Sequence, residues 1–585
     1  MQKINQLFQN LVNIFQKYTL VLASSLSMAI TAIILIEDKN ISKQTELILA
    51  KLLFASGLGI SLLFAFNMMS QRFGKRLLFE MVGLLVLLGF FFILPSDKEK
   101  LNVVYAFIIF GSFVLSHLFV SFAPFFKSNN ETSFWAYNKS LFIGLIQTGI
   151  FTFVLIIGVL SAVAAVENLF SIRMPKNIYA ELTILLGIVG STIIFLLFQQ
   201  GGLEHMKAES PYPVVLKFFT QYILIPLLLV YGTILYLYTI KIIILFELPK
   251  GWISFMVLAY SVFGILALLL VYPLKKDHSK SWVFAFQKVF FYSLIPLIIL
   301  LFFAIQTRLL DYGFTEPRYF VFVAAIWLTG IVLYYVFIPN NSIKWIPISL
   351  FVVVLFSLFM PYFNAFSVSI HSQEKDLQRI LIENKLLVNG KIDFKKEVAD
   401  SVADNIEDKF EFLSERFKYQ SLASYLNNDV KKSFKNDKVW RINGLFTNIV
   451  YKKDNNRSNN FILYNQNTYF NTQGYSYIVT ENQLNRNEVN INGDQFKLDQ
   501  NSYNDAPFYK LSLNDKTTVD FMPLVIEKFK PYKTIEGEDT AKDLSVSKDL
   551  GPYQVKIEFS SINRNQQETV THYNMDNAVF FIRKR

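Results

Sequence analysis

The stretch RLLDYGFTEPRYF (308–320) sets Arg308, Asp311, Glu316 and Arg318 in one short connection, with Tyr312, Thr315 and Tyr319 between them. Arginine favours planar, bidentate pairing with carboxylates or phosphates. Two arrangements follow. Arg308–Asp311 and Arg318–Glu316 form a local ion network that fixes the turn, or a guanidinium is left for an anionic lipid headgroup or glycan carrier. Asp311 and Glu316 are also the candidates for acid or base chemistry at this position. The rest is helix grammar. Gly313 suits a left-handed helix cap, Thr315 an N-cap, and Glu316 and Pro317 the first turn of the next helix.

The elements that must hold these residues are apolar. The chain of 585 residues is 53% hydrophobic and only 17% charged, with 59 Phe and 29 Tyr. Charge is segregated: residues 1–370 carry a net +10 and residues 371–585 a net +1. The basic balance therefore reflects membrane-flanking charges and not a nucleic-acid surface. A spanning helix needs about 20 mostly apolar residues. Eleven candidates are read at roughly 19–36, 48–68, 77–94, 101–125, 141–166, 180–199, 218–240, 252–274, 285–306, 319–338 and 345–367. The first is expected as an uncleaved span and not a signal peptide. Placing the N-terminus in the cytoplasm puts 14 of the 25 basic residues of this part inside, including the clusters RFGKR and KKDHSK. An odd number of spans then leaves the C-terminal region outside.

The expected organisation is a transmembrane helical domain (1–369), a helical part (370–437) and a β-rich part (438–585) of one soluble α+β domain. Val398, Val402, Ile406, Phe410 and Leu413 recur at helical spacing, and Asn389-Gly390 is read as the end of the helix before them. Later segments such as YSYIVTE, YQVKIEFSS and NAVFFIRK read as strands, Asn492-Gly493 as a hairpin turn, and YKKDNNRSNN as a loop.

Few other residues offer chemistry. His117, in the middle of the fourth span, could relay protons or hydrogen-bond a neighbouring helix. Glu80 stands four residues after Arg76 and suits an i,i+4 pair. With no cysteine and five scattered histidines, neither a metal site nor any cofactor is expected. GxxxxGK[ST], HExxH and GxSxG are absent. YILIPLLL (222–229) and YSLIPLII (292–299) each set a proline inside a span, which suggests a repeated kinked-helix unit.

The runs YPVVLKFFTQYILIPLLLVYGTILYLYTIKIII…LPKGWISF (212–255), RLLDYGFTEPRYFVF (308–322), FWAYNKSLF (134–142) and IENKLLVNGKI (382–392) resemble the bacterial multipass membrane family catalogued as domain of unknown function 4153. The resemblance singles out Arg308, Tyr312, Gly313, Thr315, Arg318 and Tyr319, then Pro249, Gly251 and Trp252, and on the inner side Trp135 and Asn138. It implies a polytopic protein of the bacterial cytoplasmic membrane, with no activity attached. The whole reading is an α-helical polytopic integral membrane protein of about eleven helices with a C-terminal soluble α+β domain. The leading expectation is binding or translocation of an amphiphilic or anionic envelope molecule at the outer mouth, between spans seven and ten. Its ligand residues are Arg308, Asp311, Tyr312, Thr315, Glu316, Arg318, Tyr319 and Trp252. The alternatives are a membrane enzyme acting on lipid-linked material, and a non-catalytic sensor or scaffold. The expected partners are the bilayer, a lipid or glycan ligand, and a protein partner of the C-terminal domain.

Overall fold

A computed structural model describes the chain except for residues 1, 38–40, 98–101, 129, 173, 209–211, 246–251, 274–280, 339–340, 435–438, 451–458, 468, 487, 502–506, 530, 532–536 and 568–569. It divides into two compact units, Met1–Val450 and Tyr451–Arg585.

Among the described residues of the first unit, ten helices are long and apolar enough to cross a membrane. After the amphipathic α1 (Gln2–Lys17) come α2 (Thr19–Glu37), α3 (Lys43–Phe73), α4 (Arg76–Ile93), α5 (Val103–Phe122) and α6 (Glu131–Phe170). These are followed by α7 (Ile178–Phe198), α8 (Val214–Leu245), α9 (Trp252–Val271), α10 (Ser281–Tyr312) and α11 (Glu316–Phe337). Local signals set the ends. Ser42 Oγ accepts from the Thr45 N–H at the start of α3, and Gly74 ends it at φ 72°. Arg76 and Glu80 pair at 2.6 Å one turn into α4. The two proline-bearing helices differ. A π-helical turn, Phe219–Leu224, precedes Pro226 in α8, whereas Pro296 sits within continuous α-helix in α10.

The expected eleventh span, 345–367, is a shorter helix, α12 (Trp345–Phe359), of 15 residues or about 22 Å. Pro361 and the left-handed Tyr362 (φ 66°) break it, and Asn364 caps a new helix by accepting from the Ser367 N–H. That helix, α13 (Ala365–Glu383), packs against α14 (Asp400–Ser414). Leu377, Leu381, Ala403, Ile406, Phe410 and Leu413 form the core between them. Asn389-Gly390 does not end α13. It is the turn of a short hairpin, Leu387–Val388 with Lys391–Ile392, in which both turn residues have positive φ (51° and 74°).

Among its described residues the second unit holds three four-stranded sheets. One is an antiparallel meander of Val489–Ile491, Asp494–Asn501, Phe508–Leu513 and Thr517–Asp520, with Asn492-Gly493 as its first turn. The second orders Gly537–Ala541, Asn459–Asn465, Ser561–Gln567 and Val570–Asp576. The third orders Ser545–Leu550, Tyr553–Glu558, Val579–Lys584 and Tyr477–Thr480. Most of the YKKDNNRSNN loop (451–458) lies outside the described residues, and its last two asparagines begin a strand.

Candidate functional site

The turn between α10 and α11 is built on Gly313. Its φ is 70°, and a Cβ there would stand 3.0 Å from Ser372 Oγ and 3.1 Å from Gln373 Nε2. Conformation and close approach both demand glycine. The last carbonyls of a helix lack partners within it. Here they accept from side chains of three elements. Tyr312 O receives Arg318 Nη1 at 3.2 Å, Gln373 Nε2 at 3.0 Å and Lys409 Nζ at 3.1 Å. Gly313 O accepts from Arg318 at 3.0 Å and Phe314 O from Gln373 at 2.7 Å, while the Phe314 N–H donates to Ser372 Oγ at 2.9 Å.

Glu316 is fully buried in the first turn of α11 and receives both prongs of one guanidinium, Arg416 Nε at 2.7 Å and Nη2 at 2.9 Å. Arg416 also donates to Phe412 O at 2.7 Å and lies over the Phe412 ring. Beside this pair, Lys409 meets Asp376 at 3.1 Å, and Arg379 pairs with the same carboxylate. Burial pushes the Lys409 ammonium below its ordinary range, against the pull of Asp376.

This arrangement corrects two expected pairs. Glu316 pairs with Arg416 and not with Arg318, because helical residues two apart point to different faces. Arg308 and Asp311 make no ion pair among the described residues; Asp311 is exposed, where such a pair contributes little. Arg318 instead caps α10 and faces the Tyr312 ring at 5.3 Å. Thr315 stands at the N-cap position in extended conformation, but its hydroxyl makes no capping bond. Tyr319 donates to Phe363 O at 2.6 Å. Trp252 opens α9, and its side chain, like Pro249 and Gly251, lies outside the described residues. The partners that sequence reasoning missed, Gln373, Asp376, Lys409 and Arg416, carried one signal: Lys409 interrupts the apolar stripe Ile406–Phe410–Leu413.

The FWAYNKSLF run performs the same service for two other helix ends. Trp135 Nε1 donates to Leu269 O at 2.8 Å, and Tyr212, stacked on Trp135, donates to Leu270 O at 2.8 Å, both in the last turn of α9. Tyr137 reaches Val120 O at 2.9 Å and Asn138 reaches Ser121 O at 3.1 Å, in the last turn of α5. Ser121 Oγ returns a bond to Asn138 Oδ1 at 2.7 Å. Glu131, at the start of α6, accepts from the Ile343 N–H at 3.2 Å and from the Ser342 hydroxyl.

Along this half of α6 runs a cavity of about 560 Å³, walled mainly by apolar side chains of α3, α5, α6, α7, α9 and α12. Lys139, Asn138, Ser121, Ser61 and His117 supply most of its polar groups. The volume lies within the range of small-molecule sites. His117 Nδ1 stands 2.8 Å from Phe113 O, so its ring is tied to its own helix and not to a neighbouring one. Thr148, 6% exposed, lines the deep end with a hydroxyl that has no hydrogen-bond partner among the described residues.

Comparison with known proteins agrees with this architecture. A curated protein of Pasteurella multocida, itself described as uncharacterised, is 31% identical over 175 residues, which cover 29% of this chain and 29% of that protein. No solved structure matches. The family model described as "Domain of unknown function (DUF4153)" matches residues 22–389, more than half of the chain, and takes in most of the first long apolar helix and the other nine whole. This multipass membrane protein belongs to the DUF4153 family.

Proposed function

We propose that this chain binds an amphiphilic molecule within its helix bundle, in the cavity along α6, and that the Tyr312–Arg318 junction fastens the post-membrane helices to the other end of the same bundle. One observation carries the reading: a cavity of about 560 Å³ that is apolar along most of its wall, with Lys139, Asn138 and Ser121 near the start of α6 and the end of α5. That distribution suits a molecule with a head and a tail. The outer mouth between spans seven and ten is less suited, since α8 to α11 pack around one continuous apolar core that includes Leu228, Leu235, Val257, Leu294, Leu301 and Leu328.

Within 308–319, Thr315, Glu316, Arg318 and Tyr319 belong on this reading to the junction. Arg308, which has no ion-pair partner among the described residues, is left as the guanidinium that would meet an anionic headgroup at the surface, with Asp311 and Tyr312 exposed beside it. An enzyme built on paired carboxylates is less supported, because Glu316 is held by Arg416. The reading places the chain in the bacterial cytoplasmic membrane with its N-terminus inside.

The test is mass spectrometry of what co-purifies with the solubilised protein. Wild type is compared with Leu118→Trp, which fills the cavity, and with Arg318→Ala, which loosens the junction. An amphiphile retained by wild type and Arg318→Ala but lost from a folded Leu118→Trp supports the cavity. Equal content in wild type and Leu118→Trp refutes it.

A further inference from the structure

Most polar groups of the cavity wall are already answered within the protein. Ser61 Oγ bonds Ser116 Oγ at 2.7 Å, and Ser121 Oγ donates to Asn138 Oδ1. Ser191 and Thr192 donate back to their own helix, to Gly187 O and Ile188 O. Lys139 is engaged with the Trp135 ring, 5.0 Å from its centroid. The Thr148 hydroxyl is itself wholly enclosed by its neighbours. His117 differs, because it is exposed and its described hydrogen bonds use one of its two ring nitrogens. Nδ1 stands 2.8 Å from Phe113 O and 3.4 Å from Ser116 Oγ.

The Phe113 contact fixes the chemistry of the other nitrogen. A carbonyl oxygen can only accept, so Nδ1 carries the hydrogen. An imidazole is mostly neutral at pH 8, and in that form Nε2, on the far side of the ring, is an acceptor. Among the described residues Nε2 makes no hydrogen bond, and the ring lines the cavity. His117 precedes Phe122, the last residue of α5, by about 8 Å of helix. A charged head at such a depth is costly, whereas a hydroxyl is tolerated once it has an acceptor. An ether oxygen cannot donate and gains nothing from this nitrogen. The volume suits one alkyl chain with its head, not the two chains of a bilayer phospholipid.

We infer that the guest of this cavity is a single-chain amphiphile with an uncharged hydroxyl head, an alcohol that donates to His117 Nε2 while its chain lies along the apolar wall. This rests on the cavity being a binding site, and the experiment separates the two claims. Tritiated hexadecanol and its methyl ether, which share a chain and differ in the hydroxyl hydrogen, are titrated at pH 8 against the full-length protein in phosphatidylcholine nanodiscs, with empty nanodiscs subtracted. Wild type is expected to bind hexadecanol about fivefold more tightly than the ether, the ratio set by one hydrogen bond. His117→Phe and His117→Leu, verified as folded by their melting transitions, should reduce that ratio to near one by weakening hexadecanol. Leu118→Trp should weaken both probes. Equal binding of the two probes by wild type, or a preference for hexadecanol that survives both His117 substitutions, overturns the hydroxyl head while leaving the cavity in place. Binding of neither probe above the empty-disc level, or of both undiminished in Leu118→Trp, overturns the cavity itself.

Discussion

Glu316 and Arg416 are each almost wholly enclosed, 1% and 5% exposed at the side chain, so the Glu316 charge depends on Arg416, which also meets Glu415 at 3.4 Å. Removing one partner of such a pair typically lowers stability by about 3–5 kcal/mol. A more discriminating test exchanges charges. Glu316→Arg with Arg318→Glu, two positions apart on one helix, would set a guanidinium against Arg416 and is expected to lose at least about 3 kcal/mol. Glu316→Arg with Arg416→Glu keeps a pair in place and should recover a large part of that loss; thermal melts of the two double variants decide it. The second unit offers a pH test. Tyr553 is buried and donates to Asp494 Oδ2 at 2.8 Å. Burial and that acceptor push its phenol up to about 12, and hydrogen bonds from Asn514 and Tyr553 hold the Asp494 carboxyl low. A raised phenol stabilises the fold below its unfolded value near 10 and loses that contribution as pH rises toward 12. The depressed carboxyl stabilises above the ordinary carboxylate range and loses its contribution as pH falls through it. Stability of wild type minus Tyr553→Phe should therefore shrink at both the alkaline and the acid extreme; a pH-independent difference would refute the coupling.

At the scale of elements, the recurring device is a side chain that satisfies the carbonyls at a helix end. Arg318, Gln373 and Lys409 do this for α10, Trp135 and Tyr212 for α9, and Tyr137 and Asn138 for α5. In a bilayer this matters more than in water, because unpaired backbone groups have no solvent to turn to. Trp135→Phe keeps most of the ring packing and deletes the donor to Leu269 O; it should lower stability by about 1–3 kcal/mol, measured by thermal unfolding in detergent. A variant as stable as wild type would mean the carbonyl finds another donor. The long helices were legible in the sequence because apolar runs of membrane length have few other readings. Gly313 was legible too, since a left-handed cap is a local requirement, and its φ of 70° agrees. The pairing of Glu316 was not, because its partner lies 100 residues away, in a helix whose placement depends on the whole fold. Asn389-Gly390 misled for a related reason: the same dipeptide suits a helix end and a hairpin turn, and the neighbouring strands of two residues each left too little pattern to choose.

At the scale of the molecule, the decisive element is α12. Its 15 residues cover about 22 Å, short of a hydrocarbon core of about 30 Å. Yet both of its ends are tied to α11, a full-length span. Before it, the Ser342 N–H donates to the Tyr334 hydroxyl at 2.7 Å, and after it, Phe363 O accepts from Tyr319 at 2.6 Å. Tyr319 and Tyr334 are about 22 Å apart along α11, so α12 retraces nearly the whole of its neighbour, and the broken stretch 360–364 completes the return. A shorter span of this kind is accommodated by local thinning or by shelter among longer helices. If α12 crosses, Glu383 lies on the same side as the α6–α7 connection and opposite to the α5–α6 connection. The chain has no cysteine, so single substitutions report without background. Lys127→Cys, Lys176→Cys and Glu383→Cys are each expressed and treated in intact cells with a membrane-impermeant maleimide. The expected pattern is labelling at Lys176→Cys and Glu383→Cys and protection at Lys127→Cys, as 14 of 25 basic residues on the N-terminal side predict. Glu383→Cys behaving like Lys127→Cys would show that α12 turns back without crossing. The full pattern inverted would keep the crossing and place the post-membrane helices, with the junction that holds them, in the cytoplasm.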